Sequence, residues 1–228
     1  MSDKKCIKQI VFGIQFSNSF KLFDKWGEIA DKILYSNQAQ KWFGEKYYNR
    51  ISNDVGYQRS LFNDTNQNSL RLTQNNLIIT HNIENNFDSS YKFLQEAITK
   101  YIFPVIIEAY SLIVRRIGIV FACELNDNEI GKFKRTIINS NCCDSITDFR
   151  FSKKETTTPG LIQKDKDNYI NKIITVGNLG ENERGISYDF QYFFIPPTAE
   201  ADKKLDTLFE TAIQSLETDI FKKIGVSK

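Results

Sequence analysis

The chain is short of the residues that most metal and nucleophile chemistry needs. It has one histidine, His81, and four cysteines among 228 residues. Zinc centres ordinarily take two or more His or Cys ligands at fixed spacing, and His81 with Glu84 and Asp88 forms no such pattern. Cys6, Cys123, Cys142 and Cys143 contain no C-x-x-C pair, so free thiols in a reducing cytoplasm are expected. The adjacent Cys142 and Cys143 are poorly placed to bridge each other and read as two small, partly buried side chains. A Ser-His-Asp triad would have to use His81, and the G-x-S-x-G pattern fails because Gly185-Ile186-Ser187-Tyr188 is followed by Asp189. Neither phosphate-binding glycine loop is present. The stretch Asp165-Lys166-Asp167-Asn168 starts like a calcium loop, but Ile170 stands where glycine is needed and Val176 where glutamate is needed. No metal or cofactor is therefore expected.

Long apolar runs are missing too. Nothing approaches the roughly 18 residues that span a bilayer, and residues 1–6 lead into no signal-peptide core. The expectation is a cytoplasmic protein with no membrane partner. Nor does either sign of charge dominate. Thirty Lys and Arg face 28 Asp and Glu, a net charge of +2, so any anion-binding surface has to be local.

What the chain does have is aromatic and β-branched material, with 18 Phe and 41% hydrophobic residues. Period-two alternation of Ile10, Phe12, Ile14 and Phe16 predicts a strand over 7–16. Ser17, Asn18 and Ser19 offer caps for a helix that carries Phe20, Phe23, Trp26, Ala30, Ile33 and Leu34. A short helix is expected at 38–48, a strand near 57–62, and a hairpin of strands 69–73 and 76–81 about Gln74-Asn75-Asn76. A helix over 89–112 contains Pro104, which should kink or break it. The pattern then restarts. A strand at 114–124 leads to a helix capped by Asn126 or Asp127, with Ile130, Phe133 and Ile137 on one face. Strands follow at 145–155, 168–177 and 185–195, and Pro196-Pro197 ends the last. A final helix carries Leu205, Leu208, Phe209, Ala212, Leu216, Ile220 and Ile224, with Thr198 as its cap.

Each half thus reads strand, helix, strands, long helix. Gly13-Ile14-Gln15-Phe16 matches Gly118-Ile119-Val120-Phe121, and Phe93-Leu94-Gln95-Glu96-Ala97-Ile98 parallels Leu208-Phe209-Glu210-Thr211-Ala212-Ile213. The fold class is α+β, an antiparallel sheet with helices mainly on one face. Two repeated halves, 1–113 and 114–228, would form one compact unit.

The early strand and helix, the hairpin 70–80, the long helix and Arg115-Arg116-Ile117-Gly118-Ile119 together resemble a bacterial family described only as sporadically distributed. In that family a strand with an Arg-Ile-Gly core follows a helix. Ile195-Pro196-Pro197 and the closing helix with Leu208-Phe209 and Phe221 resemble its end, although Val120-Phe121-Ala122 stands where an Arg-Tyr-Asn extension is expected. The resemblance implies this architecture and a patchily inherited accessory system such as phage defence. It implies no activity.

One charged group stands out. Arg115, Arg116, Lys132, Lys134, Arg135, Arg150, Lys153 and Lys154 fall within a short stretch of chain. Of these, Arg115, Arg116, Lys132, Arg135, Lys153 and Lys154 are the candidates for nucleic-acid or anion binding, with Tyr169, Tyr188 and Tyr192 as stacking surfaces. They alternate with Glu124, Glu129, Asp144 and Asp148, as an ordinary solvated face does. Three functions compete. The first is a non-enzymatic binding or assembly subunit, most simply a homodimer, because Phe190, Tyr192 and Phe194 on one side of a strand and Phe193 and Ile195 on the other would leave a second apolar face needing cover. A second copy, another protein subunit or the segment 38–68 could supply that cover. The second is a nucleic-acid-binding protein, whose signature would be basic residues on an open sheet face; Lys132 and Arg135, on a helix, argue against it. The third is an enzyme built on scattered polar groups.

Overall fold

The computed structural model describes residues 4–35, 47–51, 58–63, 67–83, 86–138, 147–156, 167–179 and 183–225. Cys142, Cys143, Glu84, Asp165 and Lys166 lie outside them.

The strands are β1 (Ile7–Phe16), β2 (Tyr47–Ile51), β3 (Arg59–Asn63), β4 (Ser69–Leu72), β5 (Asn76–Asn82), β6 (Val114–Glu124), β7 (Phe149–Thr156), β8 (Tyr169–Asn178) and β9 (Arg184–Thr198). They form one nine-stranded sheet in the order β2-β3-β4-β5-β1-β6-β9-β8-β7. Every neighbouring pair is antiparallel. Eight steps of about 4.8 Å make the sheet roughly 38 Å wide. The seam between the chain's two halves is the β1–β6 pair, whose register sets Gly13 directly opposite Gly118. Outward from the seam, each side continues with the last strand of its own half, β5 or β9.

The helices are α1 (Lys21–Asp24), α2 (Trp26–Tyr35), α3 (Phe87–Ala97), α4 (Asp127–Ile137) and α5 (Leu205–Leu216). They gather on one side of the sheet, as the α+β reading expects. Phe12 of β1 stacks on Phe209 of α5 with ring centroids 5.5 Å apart. Tyr91 of α3 meets both Phe121 and Phe209, and its hydroxyl donates to the Phe209 carbonyl at 2.6 Å. Ile10, Phe12, Ile14, Ile117, Ile119, Phe121, Tyr188 and Phe190 are all buried there. Each side chain of this size contributes about 1.5–3 kcal/mol when removed from water.

Local chemistry sets the element ends, and several differ from the sequence expectation. Asn126, not Asp127, caps α4 through a full capping box with Glu129. None of Ser17, Asn18 and Ser19 caps α1, which starts after Phe20 without a side-chain cap. Pro104 does not break its helix. A π-helical stretch, Ile98–Glu108, continues α3 through it; the wider i→i+5 turn departs from the α-helical geometry in which the proline ring meets the i−4 carbonyl. Pro196-Pro197 does not end β9, which runs on to pair Thr198 with Val114. The Thr198 hydroxyl accepts from Glu200 N at 3.0 Å, at the start of a 3₁₀ turn, Ala201–Lys204, that leads into α5. Residues 47 and 48, expected in a helix, belong to β2; residues 36–46 lie outside the described ones. Gly185 is required where it stands, because a Cβ there would fall on the Cys123 carbonyl oxygen.

Candidate functional site

Alternation along each strand decides which side chains meet the helices and which do not. On β6, Ile117, Ile119, Phe121 and Cys123 are buried against the helix layer, which turns Arg116, Gly118, Val120 and Ala122 the other way. Cross-strand register carries the same parity over the sheet. The second face presents Gln9, Val11, Gly13 and Gln15 on β1, Ile78 and Thr80 on β5, Ser69 and Arg71 on β4, and Asp189, Gln191 and Phe193 on β9. It continues with Tyr169, Asn171, Ile173 and Thr175 on β8 and Arg150, Ser152 and Lys154 on β7. No described helix lies over it.

The two sides of β9 are as its sequence predicts. Phe190, Tyr192 and Phe194 are buried on the helix side, and Phe193 and Ile195 share the opposite parity and are partly exposed on the second face, among polar residues. The large hydrophobic residues that are exposed, Phe20, Tyr35 and Ile113, belong to none of its strands. Within 38–68, β2 and β3 extend the sheet at its edge and do not cover this face.

Four cations, Arg71, Arg116, Arg150 and Lys154, point from the second face, and none makes an ion pair among the described residues. Its carboxylates include Asp189, near the middle, Glu124, at the end of β6 and paired with Lys8 at 3.2 Å, and Asp148, whose Oδ1 lies 3.0 Å from the Cβ position of Gly177 at the far end of β8. Two of the cations frame an aromatic pair. Tyr169 and Phe193 stack with centroids 4.5 Å apart. Lys154 Nζ lies 4.0 Å from the Tyr169 ring and the Arg116 guanidinium 5.7 Å from that of Phe193. The row Lys154–Tyr169–Phe193–Arg116 crosses four adjacent strands, β7, β8, β9 and β6.

Beside that row, at the seam, Gly13 and Gly118 leave a shallow recess of about 170 Å³. Val11 and Val120 close one end, Arg116 the other, Ile78 one side and Asp189 with Gln191 the opposite side. Gln191 Nε2 donates to Asp189 Oδ2 at 2.6 Å, and Asn171 Nδ2 donates to Gln191 Oε1 at 3.2 Å. Burial lifts the Asp189 carboxyl above its ordinary value, against the Gln191 hydrogen bond and the nearby Arg116 and Arg150, which pull it down.

The six basic candidates divide between the two sides. Arg116 and Lys154 are on the second face. Lys132 and Arg135 are exposed on α4, within the helix layer. Lys153 has the opposite parity to Lys154 and pairs with Glu155 at 2.7 Å. Arg115 is exposed one residue before Arg116, again of opposite parity. Of the three tyrosines only Tyr169 faces outward. Tyr188 is buried and donates to Asp219 Oδ2 at 2.7 Å, and Tyr192 is buried against the helix layer. Arg71, Asp189, Gln191 and Phe193 were missed as site residues, although the parity of Phe190 and Tyr192 would have turned the last three to this face.

The helix side holds a second charged group. Lys172 bridges Glu155 at 2.9 Å and Asp219 at 3.4 Å, which ties the π-helical turn Glu217–Phe221 that follows α5 to β8. His81 stacks on Phe93 at 5.8 Å and shares a 3.3 Å hydrogen bond with Asn68, a packed position at a strand end. The Cys6 and Cys123 thiols interact; burial and that contact push Cys123 up. No group of three or more His, Cys, Asp or Glu suited to a metal occurs among the described residues, and no described helix is long and apolar enough to cross a membrane.

No protein-family model and no curated protein matches the chain. Among solved structures, the chain is similar to Methanococcus jannaschii TBP at 11% identity and a TM-score of 0.27, over 91% of this chain and 97% of that one. A likeness this distant is no guide to what the chain binds.

Proposed function

We propose that the protein is a nucleic-acid-binding protein and that the second face of its sheet is the binding surface. One observation carries the reading. Four cations with no ion pair among the described residues stand on that face, two of them framing a stacked aromatic pair, in a chain that is close to neutral. A polyanion with regularly spaced phosphates and planar bases is the ligand that uses both features. In the same reading the halves 1–113 and 114–228 are copies of one unit joined at the β1–β6 seam, which gives a broad, continuous surface. The order of strands outward from the seam supports this.

The test is the salt dependence of binding to oligonucleotides of mixed sequence. Contacts from about four cations to a single strand give a slope of roughly −3 in log K against log salt, about −0.7 per phosphate neutralised. Arg71→Gln, Arg150→Gln and Lys154→Gln should each weaken binding and flatten the slope by about 0.7. Lys132→Gln and Arg135→Gln, on the helix side, should change neither. Binding that follows the α4 residues instead would place the surface on the wrong side of the sheet.

A further inference from the structure

The two seam glycines are not explained by the backbone. A Cβ at Gly13 would find its nearest neighbour 3.9 Å away, and one at Gly118 would find its nearest at 3.7 Å, both ordinary contacts. Neither glycine has a positive φ. Glycine inside a strand weakens it and often marks a place where a ligand or another backbone comes close. No described helix or strand lies over the seam on this face, and a ligand is the close approach that the recess suits.

The recess has the size and chemistry of one small heteroaromatic ring. A cavity of about 150 Å³ takes a benzene ring; this one is about 170 Å³ and open on one side. Its glycine floor suits a flat ring, and Val11, Val120 and Ile78 give it apolar walls. Its polar edge pairs an acceptor with donors. Asp189 Oδ2 is occupied by Gln191, whereas Oδ1 lies 3.9 Å from the Cβ position of Gly118, facing the recess. Arg116, held against the Phe193 ring, supplies N–H donors from the far end. One carboxylate oxygen on the side of the recess and a guanidinium at its far end complement a single exocyclic amine next to two acceptors, which is the Watson–Crick edge of cytosine. Carboxylates accept from cytosine N4 elsewhere in nucleic-acid recognition. Guanine offers two adjacent donors for which only one oxygen is free, and it is larger. Thymine would set its O4 against the carboxylate.

We propose that the Gly13–Gly118 recess holds one unpaired cytosine of a single strand lying across the second face, with Asp189 accepting from its amine and Arg116 donating to its ring acceptors. The proposal rests on the reading of this face as a nucleic-acid surface. Its ligand edge is paired away in a duplex, so single strands are required.

Fluorescence anisotropy with labelled thymine strands of about twelve nucleotides, a length within the usual range for one single-strand surface, tests it. The strands differ only at the centre, which carries thymine, cytosine or guanine. The central cytosine should tighten binding about tenfold over thymine, the scale of one well-made base contact, and guanine should not. In Asp189→Asn and in Gly118→Val the ratio of cytosine to thymine affinity should fall to about one. The ratio is internal to each variant, so a general loss of affinity does not imitate the result, and if Gly118→Val fails to fold, Asp189→Asn carries the test. Equal binding of the three strands by the unaltered protein would overturn the base pocket and leave the polyanion surface standing. A cytosine preference that persists in Asp189→Asn would also overturn it. Absence of binding to any strand would overturn both.

Discussion

Asp189 shows how a single side chain can cost stability where a binding surface is built. Its carboxyl is raised above 3.8, chiefly by burial, so over a window above that value the folded chain holds a proton that the unfolded chain has released. Stability therefore falls as pH rises through the window, and the deficit remains at higher pH. Asp189→Asn removes it. We expect the variant to melt higher than the unaltered protein at pH 7 and at nearly the same temperature near pH 3.5, where both states are protonated in the original. A variant that melts lower at pH 7 would mean that the aspartate stabilises the sheet, through Gln191 and Arg116, more than its burial costs. This is also the scale at which the sequence was least informative. The basic residues were grouped by nearness along the chain, which placed Lys153 with Lys154 and Arg115 with Arg116. Strand alternation sends the members of each pair to opposite sides. Applied to 149–154, alternation would have separated Arg150 and Lys154 from Lys153. Nothing local marked Arg71, which reaches the surface only because β4 pairs with β5.

At the scale of the element, strongly periodic segments were legible and irregular ones were not. The strand 7–16 and the final helix appear where their apolar spacing put them, because one face of each is buried in the common core. The expectation of a kink or break at Pro104 assumed α-helical geometry, and the chain instead passes the proline in a π-helical stretch. Residues 47–51 have no alternation that distinguishes a strand from a helix, and their pairing with β3 decides the matter. For α5, Leu216 is fully buried and Gln214 exposed two residues earlier. Leu216→Asp places an unpaired carboxylate in the core at a cost of several kcal/mol, against a total stability of about 5–15 kcal/mol. It should abolish cooperative thermal unfolding or send the protein into inclusion bodies, whereas Gln214→Asp should shift the melting temperature by no more than a few degrees. A soluble Leu216→Asp protein with an unchanged melting curve would show that α5 does not seal the core.

For the molecule as a whole, the β1–β6 seam makes the two halves interdependent. Ten residues of β1 and eleven of β6 form the central pair, and Tyr91 from the first half donates to Phe209 in the second. Each half alone would expose a central strand edge and half a core. We expect residues 1–113 and 114–228, produced separately, to aggregate or remain unstructured, and to recover the circular dichroism and melting of the intact chain when produced together. A half that folds cooperatively by itself would show that the seam joins two independent domains. The α+β class and the single layer of helices were legible from the order of periodic segments. The place of the seam was not, since which strands become neighbours depends on contacts between residues about half a chain apart.

The position of β7 at the outer limit of the sheet has one more consequence. Its backbone is bonded to β8 on one side only, and a strand so placed can serve as a template on which another chain stacks. Arg150, Lys153 and Lys154 are exposed along its eight residues. A second copy approaching antiparallel to β7 would bring these like charges against their own counterparts, with no acid on that copy's strand but Glu155, already engaged by Lys153 and Lys172. The cations of β7 thus disfavour edge-to-edge stacking of a second copy on this wide sheet.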